Sequence, residues 1–228
     1  MVDKFRIELQ FHKKDGNSVW TDTSVSSVDI GERKWFVIVS REITEKRSLE
    51  NQLKFMAYHD SLTSLPNRRS FYEDFPEFIS SVSLAFPNVA LLYIDGDNFK
   101  AINDRYGHDI GDQFLTHFAE KLQISLDYKY YVYRIGGDEF VVIVDKITDY
   151  VNGVSNTVED IVHSIQKNLR KGWLIDDFYF SPTSSIGIAM FPNDGSTLDE
   201  VLESADQALY KAKKVGKNNY MYTNAVHT

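Results

Sequence analysis

Two short apolar runs, Tyr130 to Ile135 and Phe140 to Asp145, flank Gly136-Gly137-Asp138-Glu139, and no other stretch restricts the possible folds so strongly. Both runs are rich in β-branched and aromatic residues, so a short glycine-led connection between them predicts an antiparallel hairpin. Upstream, Val89 to Asp95 is apolar without interruption until its final acid, the pattern of a strand buried on both faces. A hairpin beside such a strand needs helices to cover the sheet. One is predicted near Arg69 to Ser80, one on the stripe Phe114, Leu115, Phe118, Leu122 and Leu126, and one on Val158, Ile161, Val162, Ile165 and Leu169. A further strand is expected near Ser184 to Phe191. The last helix opens with the capping-box pattern Thr197-Leu198-Asp199-Glu200 and closes before Gly216. The class is α+β, an antiparallel-rich sheet flanked by helices.

The N-terminal part differs. Phe5 to Phe11, Ser18 to Ser27 and Lys34 to Ser40 read as three strands joined by turns at Lys14-Asp15-Gly16-Asn17 and Asp29-Ile30-Gly31-Glu32. Such a β meander has little to pack against and is incomplete as a domain. From Thr44 to His59 there is no glycine or proline, and Leu49, Leu53 and Met56 recur at helical spacing, so a connecting helix is expected. It could pack on its own domain or form a short seam between subunits, and both readings stay open.

Composition narrows the function. The formal net charge of −8 argues against broad nucleic-acid binding, which needs a basic surface. Absence of cysteine excludes disulfides and thiolate chemistry. The opening residues lack a signal-peptide core and the apolar runs are too short to span a bilayer, so the expectation is a cytoplasmic protein without membrane association.

Asp95 and Asp138 stand where buried strands run out. If those strands are neighbours the carboxylates converge, and magnesium, which is commonly held by one or two carboxylates plus substrate phosphates, could sit between them. Each aspartate alone is more simply a turn residue. Gly136 and Gly137 shift the balance, since a turn without side chains can take positive φ and admit a phosphate close to the backbone.

The string Arg134-Ile135-Gly136-Gly137-Asp138-Glu139-Phe140, with Asp95-Gly96-Asp97-Asn98-Phe99-Lys100 before it, resembles the GGDEF family of diguanylate cyclases. The resemblance runs from about Tyr58 to Tyr222, includes the opening motif Asp60-Ser61-Leu62-Thr63 through Asn67-Arg68, and implies a nucleotidyl-cyclase-like fold with a ferredoxin-like core. Ser64 stands where members commonly have glycine. The first 45 or so residues resemble the C-terminal half of a PAS sensor domain. The expected division is therefore a PAS-like part at 1–44, a connecting helix at 45–58 and the cyclase domain at 59–228.

The resemblance further implies that Asp95, the Gly96 carbonyl and Asp138 hold magnesium, or manganese in its place. It makes Asp138 the acceptor for the attacking hydroxyl's proton and Lys100 the cation facing the transferring phosphate. Asn103 and Asp112 would read guanine, with His108 lining that pocket, Gly136 and Gly137 cradling phosphate, and Lys213 and Lys217 binding it. Guanine offers two N–H groups that a carboxylate can accept, whereas Asp112 alone would read as an acid at a helix start. Lysine at 217, where members often have arginine, keeps the charge and loses the bidentate grip.

GTP is the implied substrate, cyclic di-GMP the product, and a transient two-fold homodimer the partner state. Many members carry an Arg-x-x-Asp product-inhibition motif before the glycine pair; here Asp127-Tyr128-Lys129-Tyr130 takes its place. A GTP-binding domain that regulates a partner without catalysis is the main rival, and a dimerisation module with incidental acids is a third reading.

Overall fold

The computed structural model describes residues 4–80, 82, 87–145 and 155–223. The first three and last five residues of the expected domains lie outside these. The chain forms two compact units, Met1–Ala57 and Tyr58–Thr228.

In the first unit β1 (Lys4–His12), β2 (Ser18–Ile30) and β3 (Arg33–Glu42) form the antiparallel meander in sequential order. The strands run longer than their apolar cores suggested. Val19, Thr23 and Ser27 of β2 are buried, while Trp35, Phe36, Val37, Ile38 and Val39 of β3 are all exposed. Helix α1 (Thr44–Tyr58) begins where the Trp20 amide donates to Thr44 Oγ1 at 3.0 Å, and the Arg47 guanidinium lies 3.8 Å over the Trp20 ring. None of the residues of α1 is buried, so Leu49, Leu53 and Met56 do not pack on their own unit.

The second unit follows in the order α2 (Arg68–Ser80), β4 (Val89–Gly96), α3 (Phe99–Tyr106), α4 (His108–Ser125), β5 (Tyr131–Gly136) and β6 (Glu139–Val144). It continues with α5 (Ser155–Arg170), β7 (Trp173–Ile175), β8 (Phe178–Phe180), β9 (Ser184–Phe191), α6 (Leu198–Lys214) and β10 (Tyr220–Tyr222). The main sheet has the order β10-β9-β4-β6-β5, antiparallel except for the β10–β9 pair. This is the expected α+β architecture. All eight residues of β4 are buried because helices cover both faces. Ala90, Leu92 and Ile94 join a core with Phe114, Phe118 and Val162, while Val89, Leu91 and Tyr93 join one with Phe71, Phe75 and Leu209.

Helix α6 is capped as its sequence predicts, with Thr197 Oγ1 accepting from the Glu200 amide at 3.3 Å. The Glu200 carboxylate reaches back to the Ser196 amide and hydroxyl at 2.7 and 2.8 Å. The helix rides directly on β9, for a side chain at Gly187 would run into the backbone of Ala205 and Leu209. The small β7–β8 hairpin, β10 and the separate α3 were not expected from sequence. Gly107, at φ +86°, breaks the helical path between α3 and α4.

Ser64 has φ +59°, a left-handed conformation that costs a residue with a side chain about 1 kcal/mol. The turn holds it because its amide donates to the Asp60 carbonyl at 2.9 Å. Ser64→Gly is expected to raise the unfolding free energy by about 1 kcal/mol in a urea titration. An unchanged midpoint would show that the turn stores no strain.

Candidate active site

The β4–β6 ladder sets Asp95 opposite Glu139, and one residue further the Gly96 amide donates to the Asp138 carbonyl at 3.2 Å. The end of β4 therefore meets the β5–β6 turn, and the two predicted carboxylates arrive together. Asp95 is buried and Asp138 half-buried. Burial raises the pKa of both carboxyls; the charge of Asp138 raises Asp95 further, and that of Glu139 raises Asp138. Lys213, from the last turn of α6, opposes this shift at both and places its Nζ 2.6 Å from Asp95 Oδ2. It thus meets a carboxylate where sequence alone gave it only phosphate.

The turn itself is open. Gly137 takes φ +50°, whereas Gly136 keeps an ordinary negative φ, so positive φ is required at only one of the pair. Built side chains at 136 and 137 would meet no atom within 4 Å, so no described residue fills the space above the turn. Arg134 fixes it from the other side: Nε and Nη2 donate to the Gly137 carbonyl at 3.0 and 2.8 Å, and Nη1 donates to Asp60 Oδ1 at 2.7 Å. Asp60 also accepts from the Thr63 amide and hydroxyl at 2.8 and 2.7 Å, so the opening motif braces the glycine turn. Burial works against the Asp60 charge, but the Thr63 donors and the Arg134 guanidinium outweigh it and hold its carboxyl below the usual range.

Asn103 lies on α3 and Asp112 on α4. Asp112 is the fifth residue of its helix, a full turn past the start that sequence suggested, and it is exposed. A side chain at Gly111 would collide with Asn103 Oδ1, so glycine there lets the two helices approach. That oxygen is buried with no partner among the described residues. Lys100 and His108 are exposed, and their side chains make no hydrogen bond or ion pair among the described residues. Lys217 donates to Asn98 Oδ1 at 2.7 Å.

Among the described residues no three acidic or histidine side chains form a ready-made cation cage. Two carboxylates with an ammonium already drawn to them, beside an open glycine turn, fit a divalent cation that completes its shell with phosphate oxygens. Sequence reasoning did not single out Arg134 and Asp60, nor Asp97, a buried carboxylate that accepts three hydrogen bonds.

Residues 57–219 match the family model described as diguanylate cyclase, GGDEF domain, and the chain belongs to that family. It is 32% identical over 209 residues to diguanylate cyclase DgcM of Escherichia coli (strain K12), covering 91% of this chain and 48% of that protein. It is 34% identical over 170 residues to the cyclic di-GMP phosphodiesterase NbdA of Pseudomonas aeruginosa, covering 75% and 21%. The crystal structure of the GGDEF domain of TpbB (YfiN) from Pseudomonas aeruginosa superposes with a TM-score of 0.65 at 31% identity, covering 71% of this chain and 98% of that one. The chain spans from about a fifth to about a half of the length of these two curated relatives. No helix among the described residues is long and apolar enough to cross a membrane.

The brace predicts a pH dependence. A carboxyl whose pKa is lower folded than unfolded adds stability above its unfolded value of 3.8 and loses it as pH falls through the folded value. Asp60→Asn is therefore expected to cost about 2 kcal/mol at pH 7. The gap from wild type should narrow below pH 4 in urea titrations. A gap independent of pH would mean that the charge of Asp60 is immaterial.

Proposed function

We propose that this chain acts as a diguanylate cyclase, joining two GTP molecules into cyclic di-GMP with release of two pyrophosphates. The observation that carries the reading is the meeting of Asp95 and Asp138 at adjoining strand ends beside an open glycine turn, with Lys213 drawn to the pair. Magnesium, or manganese in its place, would be held by both carboxylates and the Gly96 carbonyl and would supply charge neutralisation for the triphosphate.

The chain's own residues divide the remaining work. Lys213 and Lys217 pair with phosphates, and Gly136 and Gly137 leave the room for them. Lys100, exposed and with no ion-pair or hydrogen-bond partner among the described residues, faces the phosphate under attack. Asp112 accepts the N–H edge of guanine, Asn103 adds an amide to it, and His108 lines the same pocket. Asp138 takes the proton of the attacking 3′-hydroxyl, a role that suits a carboxyl whose pKa burial has raised. Attack on the α-phosphate in line with departing pyrophosphate draws mainly on positioning and electrostatics.

One GTP per subunit requires two sites to face each other, hence a transient homodimer. We read residues 1–44 as the PAS-like part and 45–58 as the connector that governs this encounter, in the cytoplasm where GTP is available. The other reading, a GTP-binding domain that only regulates, draws support from relatives named as phosphodiesterases.

Incubation with GTP and magnesium, followed by chromatography, is expected to yield cyclic di-GMP, with Asp138→Ala lowering the rate by about 10²-fold or more. GTP bound but unconverted would favour the regulatory reading. Asp127-Tyr128-Lys129-Tyr130 lacks both ends of the inhibitory motif, so titration calorimetry with cyclic di-GMP is expected to detect no tight binding there. Binding lost on Lys129→Ala would contradict this.

A further inference from the structure

Asp97 is 6% exposed and is used by none of the roles above. Its Oδ2 accepts from Thr183 Oγ1 at 2.6 Å and from the Asn218 amide at 2.9 Å, and its Oδ1 accepts from Ser185 Oγ at 2.7 Å. Its own amide donates to the Thr183 carbonyl at 3.0 Å. One side chain thus ties the end of β4, the start of β9 and the loop after α6. In that loop Lys217 and Asn218 have φ +63° and +49°. Two successive residues with side chains in the left-handed region persist only where their surroundings over-determine them. The Asn218 bond to Asp97 supplies part of that constraint, and the Lys217 ammonium is held separately, 2.7 Å from Asn98 Oδ1.

The charge of Asp97 adds to the acidity around Asp95 and by itself opposes phosphate. Its presence is explained by the hydrogen bonds it accepts, one of which holds the backbone of Asn218, the residue next to Lys217. We infer that Asp97 is a positioning residue for nucleotide phosphate, acting through Asn218 to present Lys217 at Asn98, in the loop that follows β4 and its Asp95. This rests on the nucleotide reading above and assigns the aspartate a role in substrate grip.

The test is calorimetric titration of the whole chain with guanosine 5′-(α,β-methylene)triphosphate and magnesium, whose carbon bridge prevents loss of pyrophosphate. Asp97→Ala is expected to weaken binding about tenfold, and to add less than about twofold in a Lys217→Ala background, since the two residues act as one unit. Asp97→Asn should remain within about threefold of wild type, because its amide oxygen can keep Thr183 and Asn218 as donors while its NH₂ donates to the Ser185 hydroxyl. If Asp97→Ala does not fold, Thr183→Val carries the test, with an expected loss of about threefold that likewise disappears beside Lys217→Ala. Equal losses in both backgrounds, or none, overturn the inference while leaving the nucleotide reading intact. Wild type that fails to bind the analogue removes both.

Discussion

The backbone hydrogen bond from the Gly96 amide to the Asp138 carbonyl closes the ladder at the point where β4 ends and the β5–β6 turn begins. The register leading to it is enforced by burial. Residues 89 to 94 point alternately into two separate cores, so a slip of one residue would move every apolar side chain into the wrong one and carry Asp95 to the other face of the sheet. The chemistry of the site thus inherits its accuracy from the packing of Leu91, Leu92 and Ile94.

Electrostatics at this junction are held in tension. Burial raises the pKa of two carboxyls that are kept near each other, and the Lys213 ammonium opposes that shift at both. A single ammonium between two carboxyls leaves the site short of cation, which is the condition the proposed divalent ion would relieve. Asp60 shows the opposite design: its charge is matched by Arg134 and by two donors from Thr63, and it serves to brace.

The central elements are legible in the chain because each carries a local signal: the glycine pair between two apolar runs, the unbroken run before Asp95, the helical stripe around Phe118, and the cap at Thr197. What escapes has no local signal. Strands β7, β8 and β10 have three residues each, too few for alternation to be read. Arg134 stands inside the quoted motif, yet its partner Asp60 lies 74 residues away. Asp97 finds its hydroxyl donors 86 and 88 residues further on, at ordinary-looking Thr183 and Ser185. Gly107 carries no signal beyond being a glycine, and its positive φ is what separates α3 from α4.

Gly187 lies on β9, far along the chain from every acidic motif, and nothing in its surroundings in sequence marks it. With the backbone of Ala205 and Leu209 pressed against its bare Cα, it acts as the seat of a rigid lever whose far end is Lys213. A single added methyl would collide with that backbone, so the seating of α6 on β9, and with it the helix that carries Lys213, would have to give. Control over the charge at the centre thus extends to a position that holds no charge and touches no ligand.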